Sequence, residues 1–163
     1  MKVFKEWYND KTLLSIYFTE MPKPIPLFPT PGMTDEEVEE LEKKPFKCLN
    51  EFYIILFDHK KKKKYVIKVE KGYRWDGASI PKPCWSLIGS PTDSAFLIPS
   101  LVHDKMCENK GLIGYDRYFS TIVLERLLYV SKVAGWRRYL MKHCVDNFQK
   151  TRNWKKPKKE GKC

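Results

Sequence analysis

The hydrophobic period of this chain changes once along its length. Up to Trp75 the apolar residues come in short runs rich in β-branched and aromatic side chains, and from Ser90 onward they recur at helical spacing. Strand runs first and helical runs second argue an α+β fold. The expected form is an N-terminal antiparallel β hairpin or sheet packed on a C-terminal three-helix unit. At 163 residues the chain is long enough to bury a real core and too short for two full domains. Residues 1–153 are therefore expected to form a single α+β domain with its helical half over 90–153.

Within the first half, Thr12 to Thr19 reads as a strand. Five prolines between Pro22 and Pro31 then fix φ and remove backbone donors, which predicts an extended surface connector over 22–31. Thr34-Asp35-Glu36-Glu37 has the form of a capping box, Thr34 at the N-cap and Glu37 three residues on, and opens a short acidic, solvated helix to about Lys44. Phe52–Phe57 and Tyr65–Val69 flank Asp58, His59 and the run Lys60 to Lys64, the pattern of a hairpin with a basic tip. Lys71 to Trp75 leads into a third strand, and Asp76-Gly77 permits a tight turn after it.

In the second half, Ser90-Pro91-Thr92-Asp93 combines an N-cap serine, a first-turn proline and an acid, a helix start. Pro99 then either kinks the helix or restarts it in a new first turn. Asn109-Lys110-Gly111 is expected to end it, with a loop from Gly111 to Gly114. Asp116 to about Val133 forms the next helix, its apolar face Phe119, Ile122, Val123, Leu127 and Val130. Gly135 is expected to break that helix, and Trp136 to about Phe148 forms the last one, with Trp136, Leu140, Cys144, Val145 and Phe148 at core spacing.

The formal net charge is +11. It concentrates in Lys60, Lys61, Lys62, Lys63 and Lys64 and in a tail over 154–163, expected to be disordered, that carries Lys155 and Lys156. Such clusters attract phosphate, on nucleic acid or on anionic lipid head groups. Five scattered cysteines without a C-x-x-C pair indicate neither a disulfide framework nor a zinc ribbon, and reduced thiols are expected. The N-terminus lacks the apolar core of a signal peptide, and no window approaches about 18 apolar residues, so a soluble chain without a transmembrane segment is expected.

The residues that carry chemistry are His103-Asp104 on one helix and Asp116 at the start of the next. Helices pairing antiparallel would let Asp116 accept a hydrogen bond from one ring nitrogen of His103 and leave the other to take a proton from water. Adjacent helical residues point about 100° apart, so Asp104 faces elsewhere and could hold a hard divalent cation such as calcium. Asp76, where a strand yields to a glycine turn, is a second candidate ligand; the alternative is that it only closes its own turn. Cys107, one turn past His103, is a conceivable nucleophile, with core packing the commoner role.

Two resemblances attach to these residues. Trp75-Asp76-Gly77-Ala78-Ser79-Ile80-Pro81, His103-Asp104-Lys105-Met106-Cys107, Asp116-Arg117-Tyr118-Phe119 and Trp136-Arg137 together resemble an uncharacterised family of bacteriophages and prophages, a domain of unknown function. That resemblance implies synthesis in a bacterial host's cytoplasm, with incorporation in the virion open. Locally, His103-Asp104 with Asp116-Arg117 resembles the catalytic helix pair of phospholipase A2 enzymes. It implies His103 as base, Asp104 as calcium ligand and Asp116 as the residue orienting the histidine.

Two readings of function stand nearly level. One is a hydrolase-like His-Asp/Asp centre, metal-assisted or not, acting on an ester, phosphoester or amide. The other is a non-enzymatic virion or host-directed binding protein, partnered by other phage structural proteins, in which the same residues form a polar lock between helices. Nucleic-acid binding through the lysine run and the tail is a third class, resting on charge.

Overall fold

A computed structural model of the protein describes residues 5–77, 85–88, 94–113 and 117–148. Two antiparallel sheets come first, and three long helices follow, as the change of hydrophobic period requires. One sheet has the order β1-β2-β5-β6, formed by β1 (Lys5–Asp10), β2 (Leu14–Phe18), β5 (Phe52–Asp58) and β6 (Lys63–Val69). The other has the order β3-β4-β7, formed by β3 (Pro24–Pro26), β4 (Phe46–Cys48) and β7 (Arg74–Trp75). Helix α1 is Asp35–Lys43, α2 a single turn at Trp85–Ile88, α3 Leu97–Ile113, α4 Arg117–Val130 and α5 Gly135–Phe148.

The hairpin of β5 and β6 pairs from Phe52↔Val69 to Asp58↔Lys63. Along β6, Tyr65, Ile67 and Val69 are buried while Lys64, Val66 and Lys68 are exposed, the alternation of a strand with one face on the core. At its tip Lys62 has φ 52°, in the left-handed region, and the Asp58 carboxylate accepts from the Lys61 backbone N–H at 3.0 Å. The proline-rich connector is extended as its composition requires, but part of it is a strand. Leu27 N–H donates to Pro45 O at 2.7 Å and Leu49 N–H to Lys23 O at 3.0 Å. The bonded positions on β3 are thus the odd-numbered ones, and the nitrogens of Pro24 and Pro26 face away from β4, where a missing N–H costs no ladder bond.

The Thr34 capping box is formed in full, Glu37 N–H to the Thr34 hydroxyl and Thr34 N–H to the Glu37 carboxylate, and α1 buries only Leu41. One core cluster joins β2, β5 and β6 to Leu101, Val102 and Met106 of α3 and to Phe119, Val123 and Leu127 of α4. A second lies among the helices, with Phe96, Leu124, Leu128, Val133, Met141 and Val145.

Several boundaries differ from the sequence reading. Pro99 sits in the first turn of α3, so the helix restarts there rather than kinking. α3 then continues through Gly111 to Ile113, because a helical glycine costs only about 1 kcal/mol against alanine and a seventeen-residue helix absorbs it. α4 stops at Val130, short of Gly135: Lys132 takes φ 61° and Val133 N–H bonds Leu128 O at 3.1 Å, a left-handed cap made without glycine. Gly135 instead opens α5. Trp136 is 58% exposed rather than in the core, and Met141 takes the buried position beside Val145. The helix start at Ser90 and the tail over 154–163 lie outside the described residues.

Candidate functional site

The Trp75 side chain of β7 ties the second sheet to α3. Trp75, 1% exposed, lies beside Phe46 at 5.7 Å and stacks on Tyr73 at 6.1 Å between ring centroids. Its indole N–H donates to the Ser100 hydroxyl at 3.0 Å, and that hydroxyl donates to Leu97 O at 3.1 Å, so both hydrogen-bonding roles of the serine are used. On a helix, residues three and four apart are neighbours, so His103 and Asp104 stand one turn above Ser100. Asp76 follows Trp75 directly, and Gly77 with φ 89° makes the left-handed turn that a side chain would strain. The Trp75–Ser100 bond therefore ties the strand that precedes Asp76 to the helix that carries His103 and Asp104, and Asp76 and Asp104 both lie close enough to Tyr73 for their charges to act on it.

Tyr73 registers that convergence. Its hydroxyl donates to the Glu108 carboxylate at 2.8 Å. Burial first, then that hydrogen bond and the negative charges of Asp104, Glu108 and Asp76, push its phenol far above the ordinary range. It is a permanent neutral donor. Lys105, 7% exposed, sets its ammonium 2.7 Å from Glu70, 3.7 Å from Glu108 and 4.4 Å from the Tyr73 ring centroid. Burial raises the Glu70 pKa, but hydrogen bonding and charge from Lys105 outweigh it, and the net displacement is downward.

The sequence-derived residues fall as follows. His103 is buried at 4% exposure on α3; Asp104 is partly exposed and Asp76 exposed. Asp116, Lys155 and Lys156 lie outside the described residues. Lys60 to Lys64 are the exposed hairpin tip, far along β6 from this site. Cys107 is buried at 6%, and among the described residues no disulfide joins Cys48, Cys107 or Cys144. His59 shares a hydrogen bond of 2.8 Å with the Ser15 hydroxyl, and His143 packs on Tyr139. Calcium takes six to eight oxygens. Among the described residues no three His, Cys, Asp or Glu side chains gather as a metal set, so Asp76 and Asp104 do not by themselves complete a cation cage.

Sequence reasoning assigned no contact to Trp75, Ser100, Tyr73 or Lys105. Lysine on an otherwise apolar helical stretch, with Glu108 three residues on, was the available signal for the last. No helix among the described residues is long and apolar enough to cross a membrane.

Residues 55–145 match a family described as "Protein of unknown function (DUF1353)", a span that starts inside β5 and ends inside α5. The "Uncharacterized protein y4jT" of Sinorhizobium fredii (strain NBRC 101917 / NGR234) is 36% identical over 80 residues. The alignment covers 49% of this chain and 23% of that protein, so the chain spans under a quarter of its relative's length. No solved structure matches.

Proposed function

The chain belongs to the DUF1353 family of proteins of unknown function, and from that premise we propose that it is a hydrolase of phage or prophage origin, acting on an ester, phosphoester or amide. The observation that supports the reading is the buried Trp75–Ser100 hydrogen bond, which ties the strand preceding Asp76 to the helix that carries His103 and Asp104. In this scheme His103 takes a proton from the attacking water, and Asp104 and Asp76 are the candidate cation ligands. Asp116 is the proposed acceptor that fixes the tautomer of His103. Tyr73, held neutral, remains a hydrogen-bond donor at every physiological pH. A divalent cation such as calcium, if bound by Asp76 and Asp104, would polarise the scissile bond. Lipolysis is not part of the proposal, because the sequence has no Y-x-G-x-G calcium loop.

The test measures hydrolysis of nitrophenyl ester, phosphodiester and anilide substrates, with and without calcium, by the parent and by His103→Ala and Asp76→Asn. Loss of roughly 100-fold or more in the histidine variant, with its melting temperature near that of the parent, is the expected result. A parent inert on all three classes, or a His103→Ala variant as active as the parent, overturns it. The burial of His103 at 4% favours the second reading, a polar lock in a virion or host-directed binding protein. That reading predicts a lowered melting temperature in His103→Ala and no hydrolysis to lose.

A further inference from the structure

The other end of the β5–β6 hairpin carries a separate feature. A cleft of about 430 Å³ opens between the hairpin tip, the β1–β2 turn and the adjoining faces of α4 and α5. Its volume lies in the range of ligand sites. Lys60, Arg126 and Lys142 line it together with Tyr118 and Tyr139, and its carboxylate is Glu125. That carboxylate is already answered, bonded by the guanidinium of Arg126 and by Arg138 Nε at 3.3 Å. The lining is therefore cationic in its balance. A smaller pocket of about 100 Å³ shares Lys60 and Tyr118 and adds Asp58 and Lys61.

The aromatic side chains here are exposed to a degree that core packing does not explain. Tyr118 is 60% and Tyr139 62% exposed, and Tyr129 and Trp136 on the same two helices are 57% and 58%. Cations accompany them: Lys142 Nζ is 5.8 Å from the Tyr118 ring centroid, and the Arg138 guanidinium is 5.1 Å from that of Tyr129. Two exposed rings, Tyr118 and Tyr139, and three cations lining one cleft match a polymer that offers flat faces and phosphates at short intervals.

We propose that this cleft binds single-stranded nucleic acid, with bases stacking on Tyr118 and Tyr139 and phosphates held by Lys60, Arg126 and Lys142. A duplex keeps its base faces inside its own stack and cannot use the tyrosines. A bilayer is flat and cannot enter the cleft. The site is independent of the hydrolase reading and assigns a role to Lys60 of the lysine run that charge alone does not.

Fluorescence anisotropy of the full chain tests it, with a labelled twenty-nucleotide thymidine oligomer, a labelled duplex of the same length, and vesicles of phosphatidylcholine with phosphatidylserine. The expected result is preference for the single strand. Tyr118→Ala and Tyr139→Ala should each weaken binding by about 5- to 100-fold, and Tyr118→Phe should bind as the parent does. Lys142→Gln should reduce the slope of log affinity against log salt by about 0.7. Circular dichroism controls for folding. Three results overturn the proposal: no binding to the oligomer; duplex or vesicles bound as tightly; or indifference to both alanine variants while Lys155→Gln with Lys156→Gln abolishes binding.

Discussion

Replacing Ser100 by alanine removes one oxygen and strands one donor. The Trp75 indole N–H is buried, with 1% of the residue exposed, and its acceptor is the Ser100 hydroxyl at 3.0 Å. A buried donor left without a partner costs about 1–3 kcal/mol. Alanine returns roughly 0.5 kcal/mol through its higher helix propensity, and Leu97 O loses a hydroxyl at a position where the helix can satisfy it otherwise. The net expectation is about 1–2 kcal/mol of destabilisation, or roughly 2–8 °C in melting temperature for a chain of this size. Trp75→Phe removes the donor from the other side and leaves a cavity where the larger indole packed against Phe46 and Tyr73, so it should cost more. A double-mutant cycle separates the two effects, with a coupling energy of about 0.5–1.5 kcal/mol expected for the shared bond. Urea unfolding followed by far-ultraviolet circular dichroism measures all four proteins. A Ser100→Ala variant as stable as the parent, or a coupling energy of zero, would refute the claim that this bond joins the second sheet to α3.

Glu70 supplies a pH prediction. Its folded pKa lies below the ordinary 4.5 because Lys105 outweighs burial, so the ion pair contributes stability above about pH 4.5 and loses it as pH falls through the folded value. Glu70 is half exposed, which keeps the contribution under about 1 kcal/mol; Glu70→Gln should lie below the parent in urea midpoint at pH 7, and the gap should narrow once the pH is taken well below 4.5. A gap unchanged at the lower pH counts against the assignment. Thr34→Ala should cost α1 about 1 kcal/mol of local stability, seen as faster amide exchange over 35–43. Because α1 buries only Leu41, a fall of many degrees in global melting temperature would contradict its solvated placement.

What could be read from the sequence was local. The capping box at Thr34, the alternation along β6 and the apolar stripe through Phe119, Val123 and Leu127 need only neighbouring residues, and each formed as expected. β1 was not legible, because Lys5–Asp10 is polar and owes its strand form to pairing with β2. β3 and β4 are three residues each, and prolines in a strand ordinarily argue against one. Lys132 ended α4 in a conformation that sequence rules reserve for glycine. In the candidate site, His103 and Asp104 were visible as a pair, but the link to Asp76 runs through Trp75 and Ser100, twenty-five residues apart. No periodicity reports a contact at that range. Trp136 misled because spacing assigns a face and cannot say whether anything covers it.

The outer strands also bear on how copies of this chain behave together. β3 and β6 each bound a sheet, and a bare strand edge invites a neighbour's strand to add on. On β3 the outward nitrogens belong to Pro24 and Pro26, which have no proton to offer an incoming backbone. On β6 the exposed side chains include Lys63, Lys64 and Lys68, which would meet their own copies with like charge. Lysines on the exposed face of β6 thus disfavour the addition of a like-charged strand at that edge.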